Sequence, residues 1–462
     1  MVVISKEFFV IVSTVVLIFS MRATSFYDVH FAIGQEGGAC IDYEPTENII
    51  TITCDYASFG NVMDTINDPA IIANLGGGEY LLQANLRVSH GATFAMTSDD
   101  GLQYLKITGA NGIIVNGKIE IRDVKITSWS ASANDEIDQN ITGSVRRGYI
   151  QFGASEGAQI TNSEFAYLGY NELGKRGFDL FGDGGASHDM EIRGSKFHHM
   201  WRAFYSKEAY NITIDGNEYH HNINYGVDLH SGTHDVNIIN NWIHHDPIGV
   251  ICSVNCYNIL IEGNKIEDIP KAGIFLSRNM SDSIARNNQV SNTSTGIILS
   301  ESPNNLIYSN TIEATTSEGI LLFNPAEPDE GLTETNHVYD NTISDSTNGI
   351  NATRSHSNIL GNNKFYNITS NEYHLTRNSN IRIINQDFDD ASVTAEKGSG
   401  SSNTVEIAYS GIIEVTEVND DGEEHANNIY RGTNESKYYF DTDNKPYRKV
   451  MNDSGNIIII NS

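Results

Sequence analysis

The stretch at residues 258–277, NILIEGNKIEDIPKAGIFLS, contains two short motifs that recur along the chain. One motif is a glycine followed by apolar residues, which here begins at Gly273. The other is an apolar strand that ends in asparagine, which here is Asn264. Two interlocked motifs that keep a common spacing indicate a repeat architecture.

Both motifs recur through the middle of the chain. The glycine motif starts at Gly148, Gly177, Ala203 (in place of glycine), Gly226, Gly249, Gly273, Gly296, Gly319 and Gly349. Successive starts lie 29, 26, 23, 23, 24, 23, 23 and 30 residues apart. The asparagine motif ends at Asn217, Asn241, Asn264, Asn288, Asn310, Asn341 and Asn363. A period of about 23 residues with short alternating apolar strands predicts a right-handed parallel β-helix.

Stacked coils place like positions about 4.8 Å apart. We therefore expect each asparagine amide to bond to the asparagine of the next coil, and each glycine to permit tight backbone geometry. The predicted organisation has four parts. Residues 1–25 form a signal peptide or N-terminal anchor, 26–79 an N-terminal cap, 80–385 the β-helix and 386–462 a C-terminal β extension. Within the cap, residues 58–74 predict a short amphipathic helix with Ser58 as N-cap.

The apolar run from Phe8 to Met21 after Lys6 is typical of a signal peptide, with an uncleaved anchor as the alternative. This segment predicts a secreted or cell-surface protein. Eight glycosylation sequons add weak support: Asn140, Asn211, Asn279, Asn292, Asn351, Asn367, Asn434 and Asn452. Cys40 and Cys54 are spaced to form a disulfide, whereas Cys252 and Cys256 fit either a tight bridge or buried thiols.

Net charge limits the partners of this protein. The 59 acidic and 29 basic residues give a formal charge of −30, which disfavours nucleic acid. Membrane contact is expected only through an uncleaved N-terminal segment, and the sequence does not predict an oligomeric state. No cofactor is expected.

The repeat predicts which polar residues meet. The segment NINYGVDLHSGTHD at 222–235 contains Tyr225, Asp228 and His230. In register, Lys207 lies one coil below His230, Ser253 lies one coil above it, and Arg278 lies two coils above and one column over. Asp228 aligns with Asp179 two coils below. One face should therefore combine an imidazole, a carboxylate, a phenol and cations.

Residues 145–315, and YGVDLH in particular, resemble the catalytic β-helix of alginate-modifying mannuronan C5-epimerases, whose signature is Tyr-Gly-x-Asp-Pro-His. The resemblance implies catalytic roles for Tyr225, Asp228 and His230. Three positions depart from the family pattern. Leu229 replaces its proline, Ser231 stands where an acidic residue is common, and Val254 occupies the position of a substrate-binding arginine. Arg278, one coil on in the same column, is a candidate substitute.

C5 epimerisation removes the proton α to a uronate carboxylate and returns one on the opposite face. A cation such as Lys207 or Arg278 would stabilise the enediolate, and His230 would act as base. Asp228 would orient the imidazole, Tyr225 would return the proton, and Ser253 would contact substrate. Two alternatives share these residues: a polysaccharide lyase on a uronate polymer, and a non-catalytic surface β-helix that binds glycan or metal.

Paired histidines offer a metal alternative. His198, His220 and His244 each precede a second histidine, and their spacings of 22 and 24 residues stack them. No carboxylate is evident in the repeat around them, so the sequence favours a turn residue inherited by coil duplication over a metal site.

Overall fold

The computed structural model describes residues 40–138, 145–181, 186–324, 336–355, 357–376, 381–396, 405–418, 424–440, 447–451 and 457–461. The predicted signal segment at 1–25 and the sequons Asn140 and Asn452 lie outside these residues. Three parallel β-sheets form a β-solenoid of about 12 turns, which confirms the predicted parallel β-helix. In the described part of the chain, no helix is long and apolar enough to cross a membrane.

The first sheet carries the glycine motif. Its parallel strands are Ile49–Ile52, Asn85–Val88, Gly112–Val115, Tyr149–Phe152, Gly177–Leu180, Arg202–Lys207, Val227–His230, Ile248–Ser253, Glu318–Phe323, Asn348–Thr353 and Asn371–Thr376. Two longer strands, Lys265–Ser277 and Gln289–Ser300, run from the third sheet into the first.

The second sheet follows the first along each coil. Its strands are Ala57–Ser58, Thr93–Thr97, Lys118–Arg122, Gly157–Thr161, His188–Arg193, Tyr210–Asp215, His234–Ile239, Tyr257–Glu262, Ile284–Arg286, Leu306–Tyr308, His337–Tyr339 and Ile359–Gly361. The third sheet consists of Glu79–Leu82, Tyr104–Thr108, Lys125–Ser130, Glu164–Ala166, Lys196–His198, Glu218–His220, Trp242–His244, Thr311–Thr315, Thr342–Ser344 and Lys364–Tyr366, with the two longer strands between its upper members.

The ends of the stack differ from its middle. At the N-terminal end, Ile41–Glu44, Ile72–Gly76 and Asp135–Glu136 pair antiparallel with sheet strands. At the other end, Ile381–Glu396 pairs in parallel with Val405–Val418, and Val405–Val418 pairs antiparallel with Glu424–Phe440. Tyr447–Met451 and Ile457–Asn461 form a separate antiparallel pair. Parallel pairing begins at Ile49–Ile52, upstream of the start predicted at residue 80.

The predicted helix is shorter than expected. The α-helix spans Phe59–Ile66, and Ser98–Asp100 forms one 3-10 turn. Ser58 is the N-cap, with its Oγ accepting from the Asn61 N–H. Asn67 ends the helix in a left-handed conformation, so the predicted extension to residue 74 is wrong and a strand begins at Ile72. The disulfide between Cys40 and Cys54 is formed, whereas Cys252 and Cys256 are buried free thiols.

The asparagine ladder is formed as predicted. It comprises Asn217, Asn241, Asn264, Asn288, Asn310, Asn341 and Asn363, all buried. The Nδ2 of every member below Asn363 donates to the Oδ1 of the next coil's asparagine at 2.9–3.1 Å. The same Oδ1 accepts a backbone N–H, and each Nδ2 also donates to a backbone carbonyl of the coil below. These side chains therefore satisfy buried backbone groups at every turn.

The recurrent glycines are required by close backbone approach. A Cβ at Gly249 would lie 2.6 Å from the carbonyl oxygen of Gly273, and one at Gly226 would lie 2.8 Å from that of Gly249. Apolar residues between the sheets complete the core, where Phe165, Phe197 and Tyr219 stack with ring centroids 4.9 Å apart. Contacts at the turns thus set the register of the coils, and the apolar core fills the space between the sheets.

Replacing Asn264 by Ala should lower the free energy of unfolding by at least about 2 kcal/mol, because buried donors of Asn241 and the Ile238 carbonyl lose their partners. Asn237→Ala, at a half-buried outward position of the second sheet, is the matched control and should cost less than about 0.5 kcal/mol. Guanidinium denaturation midpoints measure both. Equal losses in the two variants would contradict a structural role of the ladder.

Candidate active site

The strand Val227–His230 lies in the first sheet between Arg202–Lys207 and Ile248–Ser253. Val227 and Leu229 are buried in the core, so Asp228 and His230 occupy the alternate, outward face. His230 aligns with Lys207 below and Ser253 above, as the repeat predicts.

A cluster of two acids and two arginines lies beside His230. Asp228 aligns with Tyr205, which aligns in turn with Asp179, so the predicted column is confirmed. Both carboxyl groups are buried, at 2% and 0% exposure. Arg202 forms an ion pair with Asp228, and the backbone N–H of Arg176 donates to Asp179 at 3.1 Å. Burial raises the pKa of each acid to about 6, against the opposing effect of the arginines.

Arg202 contacts two aromatic rings. Its guanidinium carbon lies 5.0 Å from the ring centroid of Tyr205 and 5.0 Å from that of Tyr225. The guanidinium of Arg176 lies 4.6 Å from the Tyr205 ring centroid. Such distances are typical of cation–π contacts. Because its side chain keeps 21% exposure, Arg202 is both restrained and open to an anionic ligand.

The imidazole of His230 is half-buried. Its Nδ1 lies 2.6 Å from the hydroxyl oxygen of Ser231, and its ring centroid lies 6.0 Å from that of Tyr205. Burial lowers the pKa of His230, and the nearby cations, with Arg202 and Arg278 the strongest of them, lower it further. The ring is therefore neutral near pH 7 and has a nitrogen lone pair available to accept a proton.

The geometry assigns Asp228 a different partner from the one the sequence suggests. The expected contact was with the imidazole, but the carboxylate pairs with Arg202 and the imidazole pairs with Ser231. Sequence analysis did not predict Arg176, Arg202 and Tyr205 as site residues. The only sequence feature that could have indicated them was their position in the columns below Tyr225 and Asp228.

The other predicted substrate contacts lie at the edge of the cluster. Lys207 Nζ lies 5.0 Å from the ring centroid of Phe181 and 3.6 Å from Glu208 Oε1. Arg278 is exposed at the turn after its strand. Ser253 is only 3% exposed and accepts a hydrogen bond from Ser277 at 3.1 Å, so it is the least accessible of the three. A neutral base, a phenol and a restrained arginine nevertheless share one face, an arrangement that suits proton abstraction beside a carboxylate.

Six histidines form two stacked columns on another part of the helix. His198, His220 and His244 stack with centroids 4.9 and 5.1 Å apart. His199, His221 and His245 stack at 5.4 and 4.8 Å. Within each coil the two Nδ1 atoms lie 2.8–2.9 Å apart.

Carboxylates accompany some of these imidazoles, although they do not recur in every coil. Glu164 Oε1 lies 3.2 Å from His198 Nε2, and Glu218 Oε1 lies 3.3 Å from His244 Nε2. These acids come from alternate coils, with Lys196 between them. Among the described residues, no group of three or more His, Cys, Asp or Glu side chains is arranged to hold a metal ion.

Three overlapping segments, residues 103–281, 185–330 and 230–407, match the family model described as Periplasmic copper-binding protein (NosD). The chain is also 27% identical over 254 residues to a mannuronan C5-epimerase of Pseudomonas syringae, which covers 52% of this chain and 47% of that protein. It is 29% identical over 222 residues to the mannuronan C5-epimerase of Pseudomonas aeruginosa, covering 46% and 36%. The chain thus spans about half or less of these curated relatives.

Solved structures resemble the fold. The periplasmic alginate epimerase AlgG aligns with a TM-score of 0.60 at 21% identity, covering 73% of this chain and 85% of that one. The A-module of Azotobacter vinelandii mannuronan C-5 epimerase AlgE6 aligns with a TM-score of 0.51 at 16% identity, covering 66% and 89%. At identities of 21% and 16%, the similarity concerns the β-helix fold only.

The histidine columns predict acid sensitivity. Burial, followed by repulsion from His198, lowers the pKa of His220 from 6.5 to about 4. The unfolded chain therefore binds more protons between these values, and stability should fall as the pH falls from 6.5 towards 4. This residue accounts for up to about 2 kcal/mol at pH 5.

Thermal unfolding at pH 7 and pH 5 measures the effect, and His220→Gln should reduce the loss. His90→Gln is the control, because the His90 side chain is 64% exposed and lies far from the columns in sequence. An unchanged loss in His220→Gln would contradict this account.

Proposed function

We propose that this chain, which belongs to the family described as Periplasmic copper-binding protein (NosD) and is homologous to mannuronan C5-epimerases, epimerises C5 of uronate units in an acidic polysaccharide. The names of the relatives give mannuronan as their substrate, and this supports a polyuronate as the substrate of this chain. The periplasmic descriptions of the relatives support a location outside the cytoplasm.

The cluster of Arg202, Asp228 and His230 carries this proposal. A uronate carboxylate approaching the outward face meets the restrained guanidinium of Arg202, whose charge offsets the negative charge that develops when C5 loses its proton. Asp228 positions Arg202 from beneath. Because Asp228 is buried, it holds the arginine without competing for the open side of the guanidinium.

His230 supplies the base. Its lowered pKa keeps it neutral at the pH where the arginines remain charged, so it can take the C5 proton. Tyr225, whose ring also contacts Arg202, donates a proton to the opposite face of the planar intermediate. The carbon thereby exchanges one C–H bond for another with inverted configuration, and no bond to the C4 oxygen is broken.

Copper binding, which the family description names, is not proposed for this chain. Its paired histidines supply two nitrogens per coil, and their Nε2 atoms face carboxylates that also interact with lysines. The histidine columns are better explained as part of the coil stacking.

His230→Gln should reduce turnover at least about 100-fold, because it removes the base. Proton NMR of polymannuronate incubated with the enzyme in heavy water measures deuterium entry at C5. His188→Gln is the matched control, since His188 stacks on Tyr210 of the second sheet and has no role in the proposed reaction. A lyase would instead generate ultraviolet-absorbing unsaturated ends, and a binding protein would give neither signal.

Arg202→Gln should lower kcat/KM about 100-fold or more, because the enediolate loses its nearest cation. Arg202→Lys keeps the charge and should retain more activity, although it loses the planar contact with the two tyrosines. Arg193→Gln, which removes a comparable ion pair with Asp215 on the second sheet, is the control. Equal activity in Arg202→Gln and Arg193→Gln, with unchanged thermal midpoints, would rule out this role.

A further inference from the structure

The outward face of the first sheet changes its chemistry one coil above the site. The column that contains Asp179, Tyr205 and Asp228 continues as Ile251, Phe275 and Ile298. These three apolar residues are half-buried, whereas their neighbours on the inward face are fully in the core. Polar, charged chemistry therefore gives way to an apolar surface within one strand spacing.

The adjacent columns over the same three coils are uncharged as well. On one side lie Ser253, Ser277 and Ser300, which continue the column of Lys207 and His230. On the other side, Ile248, Ala272 and Thr295 form a column that is buried, and the Thr295 hydroxyl donates to Glu318 of the next coil. We call the half-buried surface of Ile251, Phe275, Ile298 and Ser300 the neutral platform. It extends over three coils, roughly 14 Å at about 4.8 Å per coil.

Cations concentrate at and below the reacting position. Arg176, Arg202 and Lys207 lie in the two coils below Asp228 and His230. Beside the neutral platform, Arg278 at the following turn is matched by Glu301 one coil higher. A polymer with a carboxylate on every sugar would have to lay several unpaired charges over apolar side chains, which is costly.

Neutral sugars fit this surface better. Their C–H faces bury apolar area against aliphatic and aromatic side chains, and their hydroxyls remain free to bond to solvent and to Ser300 at the edge. The neutral platform is also continuous with the candidate site, so any sugar on it would be linked to the reacting unit.

We propose that the substrate is a heteropolysaccharide in which the reacting uronate is followed, over the neutral platform, by uncharged sugar units resting on Ile251, Phe275 and Ile298. This inference rests on the proposed function for the identity of the reacting unit. It narrows the substrate class from a homopolyuronate to a polymer in which uronates are separated by neutral sugars.

Binding titrations with size-matched oligosaccharides test the proposal. Heparosan and hyaluronan, which alternate a uronate with a neutral N-acetylhexosamine, represent the proposed class, and polymannuronate represents the homopolymer. At least one alternating probe should bind more tightly than polymannuronate, and Phe275→Ser should weaken that binding about tenfold with no change for polymannuronate. Ile284→Ser is the matched control, because Ile284 is a half-buried outward residue of the second sheet.

Phe275→Lys provides a second test with the full-length protein, with thermal midpoints used to confirm folding. Added charge should leave polymannuronate binding unchanged if the homopolymer does not cross the neutral platform. The proposal is overturned if no alternating probe binds more tightly than polymannuronate, if Phe275→Ser behaves like Ile284→Ser, or if Phe275→Lys tightens polymannuronate binding.

Deuterium entry at C5 separates the two proposals. Phe275-dependent binding of an alternating probe without exchange at C5 would retain the neutral platform and reject the epimerase. Exchange on polymannuronate that requires His230 and ignores Phe275 would retain the epimerase and reject the neutral platform.

Discussion

Hydrogen bonding between buried asparagine side chains is the constraint on which the rest of this structure depends. An asparagine amide has both a donor and an acceptor, so one residue per coil can bond to its equivalents above and below and also satisfy the backbone at the turn. Towards the N-terminal end, Ser195 and Ser163 take over, with each hydroxyl accepting a backbone N–H of the preceding coil. A slip of one residue would leave these buried groups without partners, so the asparagine ladder fixes how successive coils align.

Because the coils are in register, residues that are far apart in the sequence become neighbours on one surface. Asp179, Tyr205 and Asp228 are separated by more than 20 residues each, yet they form one column. Two buried carboxyl groups in such a column would repel one another, and the arginines of the neighbouring column offset that repulsion. The resulting cluster restrains Arg202 against aromatic rings and keeps His230 neutral. Both properties are needed if a weak carbon acid is to lose a proton beside a stabilised carboxylate.

The same stacking has a cost where titratable residues repeat. Six imidazoles lie about 5 Å apart in these columns, and burial lowers the pKa of His199, His220 and His221, which favours their neutral forms. Alternating lysines and glutamates in the adjacent column moderate the charge. On the first sheet, by contrast, the column above Asp228 is apolar over the next three coils, at Ile251, Phe275 and Ile298. Coil repetition therefore places stacked titratable side chains, the candidate active site and an apolar surface on one scaffold.

The sequence by itself determined the parallel β-helix, the asparagine ladder and the vertical neighbours of His230, because all three follow from a period equal to one coil. It did not determine the partner of Asp228 or the roles of Arg176 and Arg202. The Arg202–Asp228 ion pair runs diagonally between two coils, and Arg176 contacts Asp179 three residues along the same coil, so vertical alignment predicts neither contact. The sequence also predicted a longer helix than the structure contains, because the helix ends at Ile66 and Asn67 adopts a left-handed conformation. Periodicity specifies which residues are stacked, whereas the directions of their side chains depend on burial, charge and local turns that only the assembled coils create.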